Sequence, residues 1–354
     1  MGTNMSARRN ISLLMAALSV LLSVACTKLA GPGDEGWTEL QSGRQVRFSS
    51  SLATTATKAT STLPDNTTFG VFAFYQAGTP GSAGSWNNNR TPNFMFNQAV
   101  EFRLPDSYTY TPLSYWPSNE YNTLSFWAYC PYSATPDLLA RGSTNAYTSA
   151  SKNIPDIRFS SDGHTDLMVS DIVTDQTYSS QNGVVQLTFS HVLSRIDVKA
   201  EKVDSEGKYT VTLDAVSFKG LYGTAILRNQ NGNWELTGSR QDEVWRAAPT
   251  PSPELSHETA THIGSAILLP QDLSNDASRL QVEYSVSYTE GGTTHSYSTV
   301  RQAYLRDVFY SIGGGTWTKN SHYVVTLKIT PGNPIQFTVT WDTWGADHNY
   351  HLSS

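Results

Sequence analysis

Charge is what this sequence has least of. Asp, Glu, Lys and Arg make up only 15% of its 354 residues, with a formal net charge of −6. Lys and Arg are not gathered along any one run, so no basic stripe exists to track phosphates, and nucleic acid is excluded as a partner. No apolar stretch is long enough to span a bilayer comfortably; Ile11–Val24 falls short. Catalytic signatures are missing as well. There is no Gly-x-Ser-x-Gly, His-Glu-x-x-His, Cys-x-x-Cys or dinucleotide fingerprint, and Gly78, Gly81 and Gly84 lack the Gly-Lys-Ser/Thr ending of a phosphate loop. Nothing argues for an enzyme, and no cofactor is expected. What is present is 11% aromatics with abundant Thr, Ser, Asn, Tyr and Gly, the composition of an extended, secreted β-protein.

Cysteine is nearly absent too, and the two that occur read differently. Arg8 and Arg9 precede the apolar run, which stops at Ser23-Val24-Ala25-Cys26. A basic start, a short apolar centre and small residues before a cysteine make a lipoprotein signal peptide over residues 1–25. Cys26 would then carry lipid and anchor the chain in an outer membrane, with residues 26–42 as a polar, Gly-rich tether. Cys130 falls in phase with Leu124, Phe126 and Ala128, so it reads as a buried thiol packing as a small hydrophobe.

The mature chain is a succession of strand-like segments. Val46 and Phe48 flank Arg47 in a short first strand. Ser49–Asn66, poor in large apolar residues, reads as an exposed loop with Lys58 as a protease target. In Leu124–Pro131 both faces are bulky: Leu124, Phe126, Ala128 and Cys130 on one, Trp127 and Tyr129 on the other. A central strand covered by a long loop fits this pattern; an outward aromatic platform for sugar rings is the sharper alternative. Asp162, His164, Asp166 and Asp171 lie close in sequence, but turn formation accounts for their residue types and no metal is expected.

The stretch that organises the chain is Val184–Ala200. Val185, Leu187 and Phe189 alternate with Gln186, Thr188 and Ser190, and His191 continues the apolar face as a core histidine with a hydrogen-bonded ring. After Leu193 the apolar positions move to Ile196, Val198 and Ala200. A strand cannot change face without an extra residue, so a bulge or break lies within Val192–Arg195. Comparable lengths of strand-like sequence lie on either side. The expected fold is therefore all-β, with an N-terminal domain over residues 43–188 and a C-terminal domain over 189–354.

Four motifs carry a family resemblance. They are Phe189, His191, Leu193, Arg195 and Ile196; Tyr115-Trp116-Pro117 with Leu124–Pro131; Ile267–Gln271; and Trp317 with Tyr323, Val325, Leu327 and Ile329. In this order they resemble the fimbrillins, the type V pilins and Mfa-like surface proteins. The resemblance implies two tandem Greek-key, transthyretin-like β-sandwiches and a place at the cell surface, in a fimbrium, with other fimbrial subunits as partners. It further implies that a protease cuts the loop after the first strand, here at Lys58, although polymerising members carry Arg there. The strand holding Val46 and Phe48 would leave. A neighbour's C-terminal strand, with Ile335, Phe337, Val339 and Trp341 and extended by Trp344, Tyr350 and Leu352, would fill the groove. Two alternatives stand beside this reading. One is a non-polymerising tip or anchor subunit. The other is a surface lipoprotein that binds glycan through Trp86, Trp116 and Trp127. A host or bacterial glycan or protein would be the adhesion ligand.

Replacing Cys26 with Ser should abolish acyl labelling and release the protein from the membrane fraction; labelling that survives the change would refute lipidation.

Overall fold

The computed structural model describes residues 44–53, 62–140, 145–204, 206–312 and 315–344. Cys26, Lys58, Tyr350 and Leu352 lie outside the described residues. Up to His191 the strands are β1 (Arg47–Leu52), β2 (Thr68–Gln76), β3 (Met95–Arg103), β4 (Ser107–Thr109) and β5 (Thr123–Cys130). They continue with β6 (Leu138–Leu139), β7 (Asp156–Ser160), β8 (Met168–Ser170), β9 (Val173–Gln176) and, after the one-turn helix α1 (Tyr178–Gln181), β10 (Val184–His191). Beyond it run β11 (Ser194–Lys202), β12 (Tyr209–Lys219), β13 (Leu221–Arg228), β14 (Asn233–Gln241) and β15 (Trp245–Ala247). The last are β16 (Thr261–Leu268), β17 (Arg279–Glu290), β18 (Thr293–Tyr304), β19 (Ser321–Ile329) and β20 (Gln336–Thr343); the short helix α2 (Leu305–Val308) precedes β19. The all-β expectation holds.

The strands form four sheets. The first has the order β1-β10-β8-β5-β2-β3-β4, with β9 also on β5. It curls until its two edges meet: the Ser50 amide of β1 donates to the hydroxyl of Tyr108 in β4 at 2.9 Å. Inside the curl, Phe69 packs edge-on against Phe48 and Phe189, and Phe126 against Phe48 and Trp116. Every second residue of β10 faces this core, which is why Val185, Leu187 and Phe189 are fully buried.

The second sheet, β16-β11-β19-β20, faces the third, β15-β12-β17-β18. Between them Ile196, Val198, Val325 and Leu327 meet Leu213, Phe218, Val282 and Tyr284 in one sandwich core. The change of phase after Leu193 proves to be a break. β10 ends at His191, β11 begins at Ser194, and the two strands belong to different sheets.

The fourth sheet, β14-β13-β7-β6, draws two strands from each side of that break. β7 and β13 pair antiparallel from Ile157 opposite Leu227 to Ser160 opposite Thr224. This sheet corrects two expectations about β5. The far side of β5 is covered by a sheet, where a long loop was expected, and Trp127 and Tyr129 are not an outward platform. They are 1% and 3% exposed, packed with Phe72, Tyr147, Leu138, Ile157 and Leu227. Gly70 of β2 makes room for Tyr129: a Cβ there would lie 2.3 Å from its ring. The loop expected over Ser49–Asn66 is also shorter than read, because Ser49–Leu52 continue β1 and Leu63 is buried.

Since Trp127 is sealed between two sheets, Trp127→Ala should cost about 3–5 kcal/mol of stability. Denaturant titration followed by circular dichroism would measure it, and a loss below about 1 kcal/mol would contradict this packing.

Candidate assembly site

β1 is an edge strand with a parallel ladder to β10, from Arg47 opposite Val184 to Leu52 opposite Phe189. Parallel neighbours need a long crossover, and here most of the N-terminal half of the chain lies between the two strands. Their meeting is prepared by Asn182 and Gly183, both left-handed, at φ +48° and +77°. Gly183 fits because a Cβ would press against the Tyr178 ring at 2.9 Å. Its carbonyl accepts from the Arg47 amide at 2.9 Å and from the Trp116 indole at 3.3 Å.

On its other side β1 is held more loosely. The Val46 amide donates to Ser114 O and the Trp116 amide to Arg44 O. The Tyr110 hydroxyl donates to Val46 O at 2.7 Å. The Arg44 guanidinium lies over the Tyr178 ring, and Arg47 donates to Asn182 O. The chief apolar anchor is Phe48, 4% exposed, with Phe69, Tyr110 and Phe126 edge-on around it. Without β1, these rings and Phe189 would line an open trough.

The C-terminal segment is an edge strand too. β20 pairs antiparallel with β19 alone, from Lys328 opposite Gln336 to Ser321 opposite Thr343. Its apolar row is unevenly covered. Val339 is buried, Ile335 and Phe337 are partly covered, and Trp341 stands 57% exposed. Just past β20 the chain turns inward: Trp344 is 3% exposed and lies flat on the His191 ring, 4.2 Å between centroids and 5° between planes.

Two histidine–aspartate pairs lie buried nearby. His191 Nδ1 is 2.8 Å from an Asp166 carboxylate oxygen, so the ring is hydrogen-bonded as expected. On β19, His322 Nε2 is 2.8 Å from Asp197 of β11, which also accepts from Arg195 at 3.0 Å. Burial pushes the Asp197 carboxyl up, but hydrogen bonds from His322 and Ser265 and the Arg195 guanidinium outweigh it and hold the group well below the usual carboxylate range. Of the other acids near His164, Asp162 serves the turn: it accepts from the His164 and Thr165 amides at 2.8 and 2.7 Å. Among the described residues no three His, Cys, Asp or Glu side chains are grouped to hold a metal. Cys130 is a buried free thiol whose pKa burial pushes up to about 12.

The tryptophans named for glycan binding do not form a surface. Trp116 and Trp127 are each 1% exposed, and Trp86 is half-buried with its ring 4.7 Å from Phe74. Of the described rings that sequence reasoning singled out for assembly, Phe48 and Trp344 are covered, Phe337 is partly covered and Trp341 is open. Tyr110 was missed; only its place among the aromatics before Trp116 hinted at a structural role.

The profile of the fimbrillin-like family matches residues 54–344. The chain belongs to the fimbrillin-like family. A fimbrium subunit, Fim1C, of Phocaeicola vulgatus is 32% identical over 246 residues, which cover 62% of each chain. The match thus spans somewhat less than two thirds of that relative's length. A crystallised fimbrial protein of Bacteroides vulgatus shares the fold, with a TM-score of 0.62 at 19% identity over 85% of this chain and 99% of that one.

The Asp197 pair ties β11 to the strand that carries β20. A carboxyl whose folded pKa is depressed stabilises the fold above its unfolded value, near 3.9, and that contribution fades as pH falls through the folded value. Asp197→Asn should therefore be less stable than the parent at neutral pH, with the gap narrowing below about pH 4. Urea midpoints at both pH values would check this, and a constant gap would refute it.

Proposed function

We propose that this fimbrillin is a structural subunit of a cell-surface fimbrium, exported as a lipoprotein on Cys26 and joined to its neighbours by strand exchange. The observation that carries the reading is the complementarity of its two edge strands. β1 closes an aromatic trough largely through Phe48, while Ile335, just before β20, and Phe337, Val339 and Trp341 within it form a row that its own chain covers only in part. Each large apolar side chain taken out of water contributes roughly 1.5–3 kcal/mol. A four-residue row would thus replace the short row of β1 at a net gain. Trough and row are different surfaces, so the contact is head-to-tail and propagates.

The covalently attached β1 keeps the trough filled until the chain is cut, because its effective concentration there is high. Lys58 is the site we assign to that cut, with Val46 and Phe48 on the departing strand. The same reading sets the domain boundary at the break between His191 and Ser194, a few residues past the expected 188/189, with the fourth sheet as the seam between halves. Other copies of the chain, or tip and anchor subunits, are the partners.

Trypsin cleavage at Lys58 should convert monomer into ladders or filaments visible by electron microscopy and gel electrophoresis. Trp341 is exposed, so Trp341→Asp should leave the monomer's melting unchanged yet suppress polymerisation of the cut protein. Cut parent protein that stays monomeric at high concentration would sink stalk polymerisation and favour a tip or anchor role.

A further inference from the structure

The exchange reading requires β20 to leave its own chain, and the structure has a specific obstacle to that. β20 is an edge strand with modest core contact of its own: within it Val339 is buried and Phe337 packs partly covered against the sandwich core. Besides its ladder to β19, it has a buried attachment one residue beyond its end. Trp344 is sunk among Val192, Leu193, Ile267 and Leu269, its amide donating to Asn320 O at 2.9 Å. Its ring lies flat on His191, whose own ring cannot turn away freely because Asp166 holds Nδ1 at 2.8 Å.

His191 is the last residue of β10, the strand that seats β1. Two residues back, Phe189 pairs with Leu52, accepts from the Ala53 amide at 2.7 Å, and packs on Phe69. One strand therefore carries the seat of β1 along its length and the stacking partner of Trp344 at its end. We infer that the Trp344–His191–Asp166 stack is a latch that keeps the C-terminal strand on its own chain, and that β10 couples this latch to occupancy of the trough by β1. With β1 seated, β10 is held along its edge and His191 presents a fixed face. When β1 is loosened, the end of β10 loosens with it, and Trp344 loses its platform. A subunit would then release its donor strand only once its own trough is ready to be filled. The role in assembly rests on the strand-exchange reading; the latch itself does not.

Hydrogen exchange by mass spectrometry on the uncut full chain tests it. Trp344→Ala should speed exchange of the β20 amides about tenfold or more while those of β12 and β17 keep the parent rate. His191→Gln, which removes the stacking face from the other side, should do the same and covers the case in which Trp344→Ala does not fold. Phe48→Ala, which loosens β1, should raise β20 exchange through β10. Unchanged β20 exchange in the Trp344 and His191 variants, or an equal rise in β12 and β17, would overturn the latch. Unchanged β20 exchange in Phe48→Ala would overturn the coupling. Filament formation after cleavage is read separately. Faster β20 exchange without polymers keeps the latch and removes strand exchange, whereas polymers forming with β20 exchange unmoved do the reverse.

Discussion

The placement of β10 is the constraint on which the rest of this fold depends. Its inward row of Val185, Leu187 and Phe189 fills the curled first sheet, and its edge receives β1 in a parallel ladder. At its end His191 is fixed by Asp166 and covered by Trp344. Three residues later Ser194 opens β11, which pairs with both β16 and β19 and so sits in the middle of its sheet. Shifting β10 by one residue would turn its apolar row to the wrong face. The same slip would displace the ladder to β1 and the face His191 offers to Trp344.

The two edge strands meet the general hazard of unpaired edges in different ways. β1 is short and closed over by the Ser114 and Tyr108 contacts, so its edge is nearly covered. β20 is longer, polar on its outer face, laddered to β19 along its length, and pinned just past its end by Trp344. An edge strand anchored in this way can be peeled from one end with few core contacts to break. That asymmetry separates a strand suited to keeping a trough closed from one suited to filling another.

The aromatic residues show how far a pattern can mislead about exposure. A strand with bulky groups on both faces, as in Thr123–Cys130, is covered on both faces or exposes one of them. The decision lies with β6, β7 and β13. β6 and β7 are short, and β13 lies far from β5 in the sequence. Their apolar residues are too few to announce a sheet, yet with Tyr147 they exclude water from Trp127.

What the sequence determined by itself was whatever rests on local period and on residue type. The all-β class, the apolar rows of β10, β11 and β20, the change of phase within Val192–Arg195 and the buried character of Cys130 all follow from alternation that each segment carries alone. The family resemblance likewise lay in four short motifs. Only the tertiary structure decided which rows meet. The parallel seat of β1, the sheet shared across the break, the burial of Trp116 and Trp127, and the stacking of Trp344 on His191 each join residues far apart in the chain. Periodicity reports which face of a strand is apolar, but the partner for that face is set by topology, and no local pattern encodes it.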